Sequence, residues 1–409
     1  MRPRVVVTGI GVVSPVGIGR ERFWNRLLEG VSGVGPVTSF DTGRFRVHNG
    51  AEVRDFDPAE HLPAGSPARG RASQMAAVAA RLALADAGLD GAVGEGRDVA
   101  PERAGVAMGT TSGEPVEIER FDDLWLEGAL DRVGAEFIGL YPSHVIAAAV
   151  AEEVGFEGVN AMIPAACAAG NYAVGYALDV LRRGRAEVML AGGADAFSRI
   201  TYTGFSRLGA VAPEVCRPFD KNRDGMIPGE GAAVLVLEPL ERARARGARP
   251  YAEVAGYGLS CDAHHMTAAH PEGAGLARAM LAALADAGAA PAEVDYVSAH
   301  GTGTPTNDRL ETLSMQRVFG AGAGRVPTSS IKSMIGHTMG AASALESAVC
   351  ALAVATGRVP PTINFEEPDP ECALDCVPNS ARELPVRLAL NNAAAFGGNN
   401  ASVAFRKVD

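Results

Sequence analysis

Ala83-Leu84-Ala85-Asp86-Ala87-Gly88 returns letter for letter as Ala283-Leu284-Ala285-Asp286-Ala287-Gly288. Each copy closes a run rich in Ala, Leu and Met with a glycine, the pattern of a helix and its stop. Each is followed by a short apolar segment and then by a Gly/Thr turn. The turn is Gly109-Thr110-Thr111-Ser112-Gly113 in the first copy and Gly301-Thr302-Gly303-Thr304 in the second. The expectation is an internal duplication: two related halves, 1–250 and 251–409, with no low-complexity linker between them, so that they pack tightly.

Outward from the echo, strand patterns alternate with helix patterns. Valine-rich Arg4 to Val13 reads as a buried strand, and Ala186 to Ala191, Ala232 to Leu237, Val294 to Ser298, Leu388 to Asn392 and Ala401 to Phe405 read the same way. Helices are expected at Ser73 to Ala87, Leu140 to Glu153, Ala168 to Arg183, Leu276 to Ala287, Thr306 to Phe319 and Gly340 to Thr356. That alternation points to an α/β fold with mostly parallel pairing.

Composition narrows the function classes. Hydrophobic residues make up 47% and charged residues 21% of the 409, the balance of a large globular enzyme core. The formal charge of −11, with no long Lys/Arg block, argues against nucleic acid and anionic membrane as partners. The six cysteines have neither CxxC pairs nor framework spacing, so zinc and disulfide readings are weak and a reducing, cytoplasmic setting fits. Gly9, Gly11 and Pro15 interrupt the first apolar run, which reads as a strand rather than a signal peptide. Glu346 interrupts the most apolar helix, so no membrane span is expected.

Cys167 stands in Pro164-Ala165-Ala166-Cys167-Ala168-Ala169-Gly170, at the expected start of a helix. There the free backbone N–H groups and the helix dipole favour thiolate and can hold an oxyanion. Taken alone, a buried inert cysteine is the commoner case. His300 ends an expected strand and opens the Gly/Thr turn; His337 closes Ser330-Ile331-Lys332-Ser333-Met334-Ile335-Gly336-His337 before the next helix. Two neutral imidazoles suit decarboxylation of a malonyl thioester, because each offers an N–H to the enolate oxygen. Lys332 nearby would keep a histidine neutral by like-charge repulsion, and Glu346 would anchor Lys332.

With these motifs, and with Arg217-Pro218-Phe219-Asp220, Arg223-Asp224-Gly225 and Gly229-Glu230-Gly231, the chain resembles the elongating β-ketoacyl-acyl carrier protein synthases of the thiolase superfamily, which serve fatty acid and type II polyketide assembly. The resemblance runs from Val5 to Asn400. It implies a five-layered αβαβα thiolase-like fold, with Cys167 in the first half and His300 and His337 in the second. It implies decarboxylative condensation of an acyl group on Cys167 with malonyl-acyl carrier protein, assisted by His300, His337 and Lys332. The backbone N–H groups of Cys167 and Phe396 would form the oxyanion hole. Thr302, Thr304, Thr267 and Phe396 would bind the phosphopantetheine arm, while Asp308, Glu311 and Glu346 would support the site. Arg69 and Arg71 would lie near the family's carrier-docking region, as a local basic patch for an acidic carrier. The implied partner is an acyl carrier protein, with no metal and no cofactor beyond the carrier's phosphopantetheine, in a homodimer or in a heterodimer with a chain-length factor.

The departures concern substrate. The family's C-terminal loop usually reads Gly-Phe-Gly-Gly-Thr with another Phe two residues before the gate; here it is Ala394-Ala395-Phe396-Gly397-Gly398-Asn399. That loss of an aromatic, and Ala168-Ala169 where hydroxyl residues are common, suggest polyketide or polyene assembly. Three rivals stand beside this reading. A dinucleotide-binding oxidoreductase is suggested by Gly9-Ile10-Gly11, but the third glycine of the fingerprint is missing. A chain-length factor itself would lack the cysteine. An acyltransferase or thioesterase of the same fold would need only one base and a water.

Overall fold

The computed structural model describes residues 2–67, 69–94 and 98–409. Ten strands form one path: β1 Val5–Ser14, β2 Ala104–Gly109, β3 Asn160–Ile163, β4 Val188–Asp195, β5 Gly231–Pro239, β6 Ala252–Cys261, β7 Tyr296–Ser298, β8 Thr328–Ser329, β9 Leu388–Ala394 and β10 Asn399–Arg406. Their spatial order is β8-β7-β9-β10-β6-β1-β5-β4-β2-β3. Read from the middle outward, the two sides are the same arrangement written twice. In the first half β3, β2 and β4 are parallel and β5 and β1 antiparallel; in the second β8, β7 and β9 are parallel and β10 and β6 antiparallel. The halves meet where Val6 faces Glu253 and Val7 faces Ala252 across β1 and β6.

The helices repeat as well. In the first half α1 (Arg71–Ala87), α2 (Val145–Val154) and α3 (Ala169–Arg182) follow β1, β2 and β3; in the second α4 (Ala274–Ala287), α5 (Pro305–Phe319) and α6 (Ala342–Thr356) follow β6, β7 and β8. The pairs α1/α2 and α4/α5 cover the outer faces of the sheets, and α3 and α6 lie against each other between them. This gives five layers, αβαβα. The segment Met339–Thr356 is long and apolar enough to cross a membrane by length and composition, yet 89% of it is buried inside the protein. It is the central core helix that the five layers require.

The repeated hexapeptide has a direct packing role. Gly9 and Gly11 of β1 press on α1: a Cβ on Gly9 would lie 2.2 Å from the Ala83 carbonyl oxygen, and one on Gly11 1.8 Å from that of Ala79. Gly256 and Gly258 of β6 press on α4 in the same way, with 2.7 Å to the Ala283 oxygen and 2.1 Å to the Ala279 oxygen. Alanines on one side and glycines on the other bring helix and strand backbones together. Asp86 then accepts from the Ile10 N–H at 2.9 Å, and Asp286 from the Tyr257 N–H at 3.3 Å. Gly88 and Gly288 close the two helices in the left-handed conformation. Gly9-Ile10-Gly11 is therefore a helix-packing strand, which removes the dinucleotide reading of it.

Some expected elements differ. Strands β2, β3, β6 and β8 lie outside the expected ones, glycines breaking the pattern of β2 and β6 and short length hiding β3 and β8; the pairing is mixed rather than mostly parallel, because β10, β6, β1 and β5 run antiparallel to their neighbours. The single helix expected over Leu140 to Glu153 is two, Glu136–Leu140 and Val145–Val154, because Pro142 has no N–H to carry the helical hydrogen bonding onward.

Candidate active site

The equivalence of the halves decides where the chemistry sits. Cys167 lies between β3 and α3; His337 lies between β8 and α6, the matching connection of the second half. Both central helices point their N-terminal ends at the same place. His300 joins them from the end of β7. One ligand-capable atom from each of Cys167, His300 and His337 lies within 4.8 Å of the others, and all three residues are buried. The two imidazoles meet edge to face, with ring centroids 5.5 Å apart.

Two non-glycine residues beside the site have left-handed backbone, Ala166 at φ +49° and Met339 at φ +53°, a conformation that costs about 1–2 kcal/mol each. The first precedes the nucleophile and turns it out of β3 into the helix start; the second follows His337 by two residues.

The neighbouring donors favour the tautomer with the proton on Nε2 in both imidazoles. The Met339 N–H donates to His337 Nδ1 at 3.2 Å, which makes that nitrogen an acceptor. Lys332 Nζ donates to the His300 carbonyl at 2.6 Å and stands 3.5 Å from His300 Nδ1, which therefore faces a donor as well. Burial, and after it the Lys332 ammonium, hold both histidines well below the ordinary histidine pKa, so they are neutral donors. A metal would need the lone pairs of these Nε2 atoms, and Lys332 would stand beside it. The cysteine and two histidines thus suit an oxyanion rather than a cation.

Lys332 is wholly buried and ion-paired with Glu346, also wholly buried. Burial pushes Glu346 up to about 7 and Lys332 opposes it. Glu311 accepts the backbone N–H groups of His300 at 2.8 Å and Gly301 at 2.7 Å, and burial pushes it, too, up to about 7. Asp308 accepts from the N–H of Phe219 at 2.7 Å and of Gly303 at 3.2 Å, tying the Arg217 to Asp220 stretch to the Gly/Thr turn.

The thiol differs from the expectation drawn from its helix position. Burial pushes Cys167 up to about 12, with Lys332 pulling the other way, so at neutral pH the resting group is a thiol. Desolvation outweighs the helix end here, and the proton leaves only as a thioester is attacked.

A cavity of about 330 Å³ opens on Cys167, His300 and His337. Thr302 and Thr304, their hydroxyls 2.8 Å apart, and Thr267 line its approach. Phe396 stands partly exposed at the mouth, its ring 5.8 Å from Phe205, and Ala394 leaves open the space an aromatic would fill.

Arg69 and Arg71, expected near the carrier-docking region, are both held from inside the fold, Arg69 nearly buried and Arg71 one third exposed. The Arg69 side chain is only 4% exposed and bonds Glu153 at 2.6 Å; Arg71 is bound by Glu230 at 2.7 Å and lies over the Phe56 ring. Both guanidiniums are engaged in internal ion pairs. Sequence reading also passed over Asp195, at the end of β4, and Asn171 and Asn391, which join α3 to β9 within a buried amide and hydroxyl network. A single polar residue ending an apolar strand was the only signal for Asp195.

The chain matches the family described as Beta-ketoacyl synthase, N-terminal domain, over residues 2–243, and the Beta-ketoacyl synthase, C-terminal domain, over residues 251–366. It is 39% identical to 3-oxoacyl-[acyl-carrier-protein] synthase 2 of Synechocystis sp., covering 99% of this chain and 98% of that protein. It is 44% identical to the tetracenomycin polyketide synthase ketoacyl synthase alpha subunit of Streptomyces glaucescens, covering 97% and 95%. A solved structure titled the ishigamide ketosynthase/chain length factor superposes with a TM-score of 0.94 at 44% identity, covering 100% of both chains.

Proposed function

This chain belongs to the β-ketoacyl synthase family of condensing acyltransferases, and from that premise we propose that Cys167 carries the acyl group while His300 and His337 hold the enolate of the extender. In the first half-reaction the Cys167 sulfur attacks an acyl thioester on an acyl carrier protein. The backbone N–H groups of Cys167 and Phe396 hold the oxyanion, and the thiol proton ends on the departing carrier thiol. In the second, malonyl carrier protein enters along Thr302, Thr304 and Thr267. Its carbon–carboxylate bond breaks, carbon dioxide leaves, and the electron pair moves into an enolate whose oxygen receives the two Nε2–H groups. The enolate carbon then attacks the Cys167 thioester, β-ketoacyl carrier protein forms, and the sulfur leaves as thiolate and takes a proton from solvent to restore the thiol.

The observation that supports this reading is the convergence of the sulfur and two neutral imidazoles of one tautomer on one cavity. A thioesterase or simple acyltransferase has no use for the second N–H donor. We divide the chain at residue 250 into halves that supply nucleophile and enolate site respectively. The six free cysteines fit a reducing cytoplasm.

The partner is a second subunit as well as a carrier. Phe121, Phe137 and Tyr141 stack in sequence, and Trp125, Leu126 and Ile138 of the same two helices are exposed, apolar surface that suits a protein partner. A homodimer accounts for it. The likeness to an alpha subunit and to a ketosynthase/chain length factor structure favours a heterodimer with a chain-length factor in polyketide or polyene assembly. Intact-mass analysis after incubation with a panel of acyl carrier thioesters tests the assignment. An adduct on the Cys167 peptide is expected, and its mass identifies the substrate; an adduct elsewhere, or none with any thioester, refutes it.

A further inference from the structure

Asp195 ends β4 with no exposure to solvent, and no step of the condensation uses it directly. Its carboxylate is nonetheless saturated. Oδ1 accepts the Thr110 hydroxyl and the Ser112 N–H, both at 2.9 Å; Oδ2 accepts the Thr111 N–H at 2.8 Å and the Gly340 N–H at 2.7 Å. Three of these donors belong to the turn after β2. The fourth belongs to the start of the central helix of the other half, so one carboxylate spans the boundary between the halves.

The Gly340 bond bears on the histidine. The peptide that carries the Gly340 N–H follows Met339, and the peptide that carries the Met339 N–H precedes it. Met339 is the left-handed residue between them. One of its flanking N–H groups is held by Asp195 and the other is aimed at His337 Nδ1. An L side chain leaves that conformation readily unless its surroundings impose it.

We propose that Asp195 is a positioning residue for His337: by holding the Gly340 N–H it keeps Met339 left-handed, which directs the Met339 N–H to His337 Nδ1 and places the ring proton on Nε2, facing the enolate oxygen. The inference rests on the role given to His337 above, and it adds that the tautomer is set from the far side of a strained residue, by the half of the chain that carries the nucleophile.

Heteronuclear NMR of the full chain with labelled histidine, with His337 identified by its loss in His337→Ala, reads the tautomer directly. In the native protein Nδ1 of His337 is expected unprotonated. Asp195→Ser, too short to reach Gly340, should mix the two tautomers at His337 and leave His300 unchanged. Carbon dioxide release from malonyl carrier protein should fall about 10- to 100-fold, while acylation of Cys167 is not slowed. Asp195→Asn can turn its oxygen to Gly340 and should keep the native tautomer. Adding Met339→Gly to Asp195→Ser should recover part of the lost release, since glycine adopts positive φ without strain.

A native His337 protonated on Nδ1 overturns the proposal. So does an Asp195→Ser protein with native tautomer and native release, or one that Met339→Gly does not rescue. If Asp195→Ser does not fold, the native tautomer and that of Asp195→Asn decide, and a changed tautomer in Asp195→Asn counts against the proposal. Undiminished release in His337→Ala would instead remove the role of His337, with the tautomer measurements still deciding what Asp195 does.

Discussion

Replacing Lys332 with methionine removes the only ammonium near two buried imidazoles among the described residues and keeps the length of the side chain. The consequence for His300 follows from distance. At 3.5 Å from Nδ1, a unit charge contributes about 5 kcal/mol at an effective dielectric of about 20. The paired Glu346 carboxylate offsets part of that, and the remainder favours the neutral imidazole. Burial, the larger cause of the depressed pKa, remains in the variant, so the histidine moves back toward its ordinary value without reaching it. The sign is set by like charge: without the ammonium, the imidazolium fraction is larger than in the native protein and grows as pH falls.

An imidazolium at that position is an acid facing a carbanion. It should protonate the enolate carbon and yield acetyl carrier protein in place of a condensed product. The assay is the ratio of carbon dioxide released to β-ketoacyl product between mildly alkaline and mildly acidic pH. The native enzyme should hold one release per bond formed; Lys332→Met should release an excess that grows as pH falls. A ratio independent of pH in the variant, or the same excess in the native enzyme, refutes the reasoning. Glu346 loses its counter-ion in this variant, but burial already pushes it up to about 7. It takes a proton rather than staying charged, which keeps the stability loss below the about 3–5 kcal/mol of a broken buried pair.

Other expectations are simpler to state. Cys167→Ala should form no acyl adduct yet still release carbon dioxide from malonyl carrier protein, whereas His337→Ala should lose that release by about 100-fold or more; equal losses in both would contradict the division of labour. Gly11→Ala and Gly258→Ala each drive a methyl into a helix carbonyl, at 1.8 and 2.1 Å, and each should destabilise the protein by about 3 kcal/mol in denaturant titration. A large loss at only one of them would break the equivalence of the halves. Arg69→Ala should lower the unfolding midpoint and leave KM for the carrier protein unchanged; a raised KM at native stability would restore a docking role to this residue.

The amino-acid order carried a large part of this structure. The hexapeptide echo announced the duplication because helix–strand contact at that distance admits little but alanine and glycine, and glycines of the same kind concealed β6, where Gly256 and Gly258 break the apolar pattern. Cys167, His300 and His337 were visible because each closes an apolar run with a reactive group and a small-residue turn. The protonation state of Cys167 was not visible, since desolvation depends on everything packed around the sulfur. Nor were the partners of Arg69 and Arg71, which come from Glu152 and Glu153 in one case and Glu230 in the other. Asp195 was hidden for the same reason: its donors come from residues 110–112 and from residue 340.

The matching loops after β3 and β8 have one further implication. In an assembly of two identical protomers, any change to one loop is copied into its symmetry mate, so a thiol on one side imposes a thiol on the other. Written twice on a single polypeptide, the two loops vary separately: one holds sulfur, its counterpart a nitrogen base, and they confront each other across the former axis. Heterogeneity of function at a point of near symmetry is what covalent fusion of the repeats makes available.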